Sequence, residues 1–126
     1  MGADIRWRPA VSPALILVHD RLEHPLWDRQ AAAFADAVED RLESVSVTSV
    51  DLSRGLPRLH DALRAAKFVG AQSALVFVRD ELTARRVAGL STTVPFAVVV
   101  APDWTADAVA ATFRAETDDS ERRACA

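Results

Sequence analysis

His19 is the residue of this chain best placed to do chemistry. It directly follows five consecutive apolar residues, 14–18 (Ala-Leu-Ile-Leu-Val), and precedes Asp20 and Arg21. An imidazole held there by a rigid element could ligate a divalent metal or act as a general base near neutral pH. The competing reading is a histidine that hydrogen-bonds its neighbouring loop. His24, ahead of Pro25, could be a second ligand across the crevice, although a residue entering a helix there is more often solvated. His60 falls on the polar side of a helical pattern and reads as surface. No two of the three histidines lie at i, i+3 or i+4, so there is no zinc signature. A second group, Arg79-Asp80-Glu81, follows the apolar run 74–78. Its acidic pair could take protons or bind a cation, and a solvated turn opening a helix explains it equally well.

Other chemistries are excluded by what the chain lacks. Its glycines are Gly2, Gly55, Gly70 and Gly89, too few and too scattered for a phosphate-cradling loop. There is no G-x-S-x-G turn for a serine nucleophile. Cys125, second from the end, is the single cysteine, which rules out an internal disulfide or a thiolate metal cluster. Fifteen basic and eighteen acidic residues give a net charge of -3, with no nucleic-acid footprint. Fourteen of the basic residues are arginines, spread along the chain; Lys67 is the fifteenth. No apolar run approaches the ~20 residues that cross a bilayer. Residues 1–8 carry no signal-peptide core, so the expected location is the cytoplasm, away from membranes.

Elements that could position these residues follow from periodicity. Half of the 126 residues are hydrophobic and 26% are charged, a globular composition that fits one domain. Runs 14–18, 74–78 and 94–101 are apolar on both faces, as parallel strands covered by helices must be. Residues 45–50 (Val-Ser-Val-Thr-Ser-Val) alternate strictly and predict a strand nearer an edge. Between the first two strands, Trp27, Ala31, Phe34, Val38 and Leu42 form one helical face. A second helix is predicted over 56–69, with Leu59, Ala62, Leu63 and Ala66 inward and Gly70 at its end. A short third spans 81–88. The fourth spans 104–115, with Asp103 or Thr105 as its N-cap. The order βαβαβαβα implies an α/β fold: a three-layer, flavodoxin-like sandwich with a four-stranded, mainly parallel sheet. The domain is expected over 1–116, followed by a frayed polar tail over 117–126. In such sheets ligands bind outside the carboxyl ends of the strands, which is where His19 and residues 79–81 fall.

Over roughly residues 13–78 the chain resembles the small sirohydrochlorin chelatases, which add Co2+ or Fe2+ to a tetrapyrrole. The resemblance lies in Leu15-Ile-Leu-Val-His19, then Pro25, then Pro57-Arg-Leu-His-Asp-Ala-Leu63, then Gly70-Ala71 and the strand ending at Val78. It implies His19 as the metal ligand and proton-accepting catalytic group, with the tetrapyrrole and metal as substrates rather than a resident cofactor. Two features depart from the family pattern. The family's His-Gly-Ser turn is His19-Asp20-Arg21 here. The family's second metal-binding histidine, after the third strand, is replaced by Arg79-Asp80-Glu81.

On that resemblance Asp80 or Glu81 could replace the lost histidine as an oxygen donor, with Glu81 taken as the metal ligand beside His19. Arg21 and Arg79 become candidate binding residues for the carboxylates at the rim of sirohydrochlorin. The expected activity is metal insertion into such a macrocycle, or its binding. The alternative is a non-catalytic binding module on the same fold. Short members of the family pair as homodimers. Trp7, Trp27 and Trp104, near chain or helix ends, point the same way. A two-fold-related His19 could then supply the missing ligand.

Overall fold

The computed structural model describes residues 13–19, 27–90 and 94–125. Their elements alternate as expected. Strands are β1 (Ala14–His19), β2 (Val47–Asp51), β3 (Ala74–Val78) and β4 (Phe96–Val100). Helices are α1 (Trp27–Asp40), α2 (Leu56–Phe68), α3 (Glu81–Ala88) and α4 (Ala106–Cys125). A single 3-10 turn, Leu52–Arg54, separates β2 from α2. The four strands form one all-parallel sheet in the order β2-β1-β3-β4. This is a flavodoxin-like α/β sandwich.

The sheet order explains the helix layers. The chain steps from β1 outward to β2, then crosses back over β1 to β3 and on to β4. Crossovers of one hand that run in opposite directions must lie on opposite faces. Accordingly Leu15, Leu17, Leu75 and Phe77 pack with Ala35 and Val38 of α1 and Val109 and Phe113 of α4. On the other face Ile16, Val18, Val76 and Val78 pack with Leu59 and Leu63 of α2 and Val87 of α3. All six residues of β1 and all five of β3 are buried, which is why both read as unbroken apolar runs.

Local signals account for most boundaries. Helix α2 ends in a Schellman arrangement: Gly70 N–H donates to Lys67 O and Ala71 N–H to Ala66 O. Gly70 sits at φ +106°, a backbone state that disfavours a side chain. The Thr105 hydroxyl accepts from Ala108 N–H at 3.2 Å, so Thr105 rather than Asp103 caps α4.

Two expectations are corrected. The fourth apolar run predicts a strand buried on both faces, whereas β4 is half-exposed and Val100 keeps 39% of its surface. As the last strand of the sheet, β4 has no neighbour beyond it among the described residues. The frayed tail expected over 117–126 is helical through Cys125. Glu121, Arg122, Arg123 and Ala124 are good helix formers. Among the described residues no helix is long and apolar enough to cross a membrane.

Candidate functional site

The site is best built from the register of three strands. His19 is the Cα partner of Asp51 in the β1–β2 ladder. On the other side β1 pairs with β3 through Leu17 and Phe77, and Arg79 directly follows the end of β3 at Val78, as far beyond Phe77 in sequence as His19 is beyond Leu17. Alternation assigns all three to one face of the sheet. Leu17 and Phe77 belong to the core under α1 and α4, and His19 and Arg79 continue their alternation. Val47 lies on the same side, and Asp51 is four residues on. A carboxylate, an imidazole and a guanidinium thus form a row across the carboxyl edge of the sheet.

That row straddles the point where the strand order reverses. The chain leaves β1 toward β2 and leaves β3 toward β4, so the strand order reverses between β1 and β3. Open α/β sheets bind ligands at this switch point. His19 and Arg79 flank it.

Each member has a distinct environment. His19 is the one buried polar side chain among the described residues, 6% exposed, and its Nδ1 is buried. Asp51 is partly buried. Its Oδ1 accepts from Ser53 N–H at 2.9 Å and from Ser53 Oγ at 2.6 Å, fixing the 3-10 turn, while Oδ2 is buried. Arg79 is exposed and its guanidinium lies 5.8 Å above the Trp104 ring. Trp104 in turn stacks on Phe34 of α1, with ring centroids 5.6 Å apart and planes 8° from parallel. Arg79 therefore rests on an aromatic pair, an arrangement that limits its rotamers.

The acidic pair after β3 has a structural explanation. Asp80 is the N-cap of α3, its Oδ1 accepting from Thr83 N–H at 2.8 Å. Hydrogen bonds from the Thr83 backbone and hydroxyl, with a smaller contribution from the Arg79 charge, hold its carboxyl below the ordinary value. Glu81 stands exposed in the first turn of α3, the helix that covers the opposite face from the His19 row. Among the described residues no three His, Cys, Asp or Glu side chains gather to hold a metal ion. Arg21 and His24 lie outside the described residues, as does Trp7. His60 is half-buried on α2.

The sequence places Asp51 at a strand tip and Trp104 at a subunit interface, but assigns neither a role in this site. Asp51 becomes visible once β1 and β2 are paired in parallel with their ends level. Trp104 is a poor sequence signal, because its contacts with Phe34 and Arg79 bridge three elements far apart in the chain.

Of the row, Asp51 alone lines a described concavity. One of about 390 Å³ runs between β2 and α2, lined by Thr48, Asp51, Arg58 and Asp61 among others. Another of about 310 Å³ lies at the opposite end of the sheet, lined by Lys67, Gly70, Val94 and Pro95 among others. His19 lines neither. Comparison with protein-family models, with curated proteins and with solved structures finds no match to this chain.

Proposed function

We propose that this domain binds a carboxylate-bearing tetrapyrrole such as sirohydrochlorin at the carboxyl ends of β1 and β3. The observation that carries the reading is the pair His19 and Arg79 flanking the switch point of a β2-β1-β3-β4 sheet. Arg79, seated on Trp104, offers a planar donor fork to a rim carboxylate. His19 offers an imidazole toward the pyrrole nitrogens, and the chelatase resemblance supplies the identity of the macrocycle. Binding is favoured over metal insertion because insertion asks His19 to serve as both metal ligand and proton acceptor.

The test is an anaerobic titration with sirohydrochlorin, followed by its Soret band and by tryptophan fluorescence, with and without Co2+. Saturable binding that Arg79→Ala abolishes supports the reading. Absence of any spectral change overturns it. Cobalt insertion faster than the protein-free control would make the domain an enzyme, with His19 as its catalytic residue.

A further inference from the structure

The two edges of the sheet are not alike. In the β1–β2 ladder Leu15 N–H donates to Ser46 O, so in β2 it is Val47, Ser49 and Asp51 that direct their backbone groups outward. That edge is blunted: Glu39 of α1 accepts from the outward N–H of Val47 at 3.3 Å, and Asp51 ends the strand with its own turn. Charges and local caps of this kind discourage pairing with another strand.

Among the described residues nothing comparable guards β4. Ala74 N–H donates to Pro95 O and Ala101 N–H to Val78 O, so Phe96, Val98 and Val100 direct their backbone groups away from β3. Residues 94–102 (Val-Pro-Phe-Ala-Val-Val-Val-Ala-Pro) carry no charge, and prolines bracket the strand. Ala97 and Val100 are exposed.

We infer that β4 pairs antiparallel with β4 of a second copy of this chain, joining the two sheets into one of eight strands. A two-fold axis at Val98 makes the contact self-complementary. Val98 then faces its own copy and Phe96 faces the partner's Val100, each pair exchanging backbone hydrogen bonds in both directions. The half-exposed Val100 gains an aromatic cross-strand neighbour. Charge decides for a second copy over an unrelated strand. The same register carries exposed Asp103, just past β4, to the end of the partner's sheet where Lys67 lines the concavity with Val94 and Pro95. Opposite charges meet there twice, once on each side of the axis, and complementarity of this kind fixes register.

This arrangement is independent of the tetrapyrrole reading and departs from the dimer that the chelatase resemblance implies. The carboxyl ends of the two sheets point in opposite directions. The two β1 strands stand five inter-strand spacings of about 4.8 Å apart. His19 cannot be shared across the axis.

Sedimentation equilibrium over a concentration series tests it on the full chain. The expected mass is about 27 kDa, twice 13.7 kDa. Val98→Pro removes an outward N–H while sparing the ladder to β3, and should give monomer. Lys67→Asp should raise the dissociation constant about threefold or more. The double variant Lys67→Asp/Asp103→Lys should restore it; these two positions are exposed, so they keep the test valid if the proline variant fails to fold. A wild-type mass of 13.7 kDa at every concentration overturns the inference, including the case in which residues 1–12 of the same chain cover the strand. So does a dimer that neither Val98→Pro nor Lys67→Asp weakens.

Discussion

His19 and Asp51 end adjacent parallel strands as Cα partners, one nearly buried and the other holding a 3-10 turn through its Oδ1. Residues paired in this way on adjacent parallel strands stand about 4.8 Å apart and on the same face, so their polar groups share one environment. The two residues should therefore be energetically coupled. In urea denaturation His19→Ala and Asp51→Ala are each expected to cost about 1–3 kcal/mol, since one removes a buried side chain and the other the acceptor of two Ser53 hydrogen bonds. Their double variant should depart from additivity by about 0.5 kcal/mol or more; a sum within about 0.3 kcal/mol would show that the pair acts as two separate groups.

Gly70 isolates backbone strain from packing. A Cβ built there meets nothing within 4 Å, so only the φ of +106° opposes a side chain. Gly70→Ala is expected to lower stability by about 1–2 kcal/mol with no change in fold. Gly89, at φ -80°, is the internal control, and Gly89→Ala should be close to neutral. Equal effects at the two positions would refute the assignment of cost to the left-handed turn.

Asp80 links α3 to pH. Its carboxyl is held below the ordinary value of 3.8 by Thr83. A depressed folded value means stabilisation that is complete above the unfolded value and is lost as pH falls through the folded one. Stability should thus decline below about pH 4 through this group, and Asp80→Asn should flatten that part of the profile. Asp80→Ala is expected to cost about 0.5–2 kcal/mol at neutral pH, as for other N-caps. Carboxyl NMR titration reads the value directly.

The fold was legible because burial imposes pattern. The runs at 14–18 and 74–78 could only be strands covered on both faces, and β1 and β3 lie between neighbours. The third such run misled because apolar residues predict what a strand can bury, not where the sheet ends. His19 was legible as a strand tip, and its burial follows from the central place of β1. Glu81 and Asp80 looked like chemistry because a helix N-terminus and a cation site both attract acids. Only the hydrogen bond to Thr83 separates these for Asp80. Trp104 was hidden because stacking on Phe34 is a tertiary fact with no trace in spacing.

Arg79 separates binding from stability. Its guanidinium sits 5.8 Å over Trp104 and is exposed, so the contact is worth about 0.5–1 kcal/mol and Arg79→Met should barely move the urea midpoint. If Arg79 is the carboxylate-binding fork of the tetrapyrrole site, the same variant should nevertheless abolish the Soret shift. Arg79→Lys keeps the charge but loses the planar fork, and should weaken binding about tenfold while preserving its salt dependence. Trp104→Leu should act differently from either. It removes the Phe34 stack, worth about 0.5–1.5 kcal/mol beyond area burial, and unseats Arg79 without touching its charge. Stability and affinity should then fall together. An Arg79→Met protein that binds sirohydrochlorin as tightly as the wild type would remove Arg79 from the site and leave the guanidinium as a surface partner of Trp104.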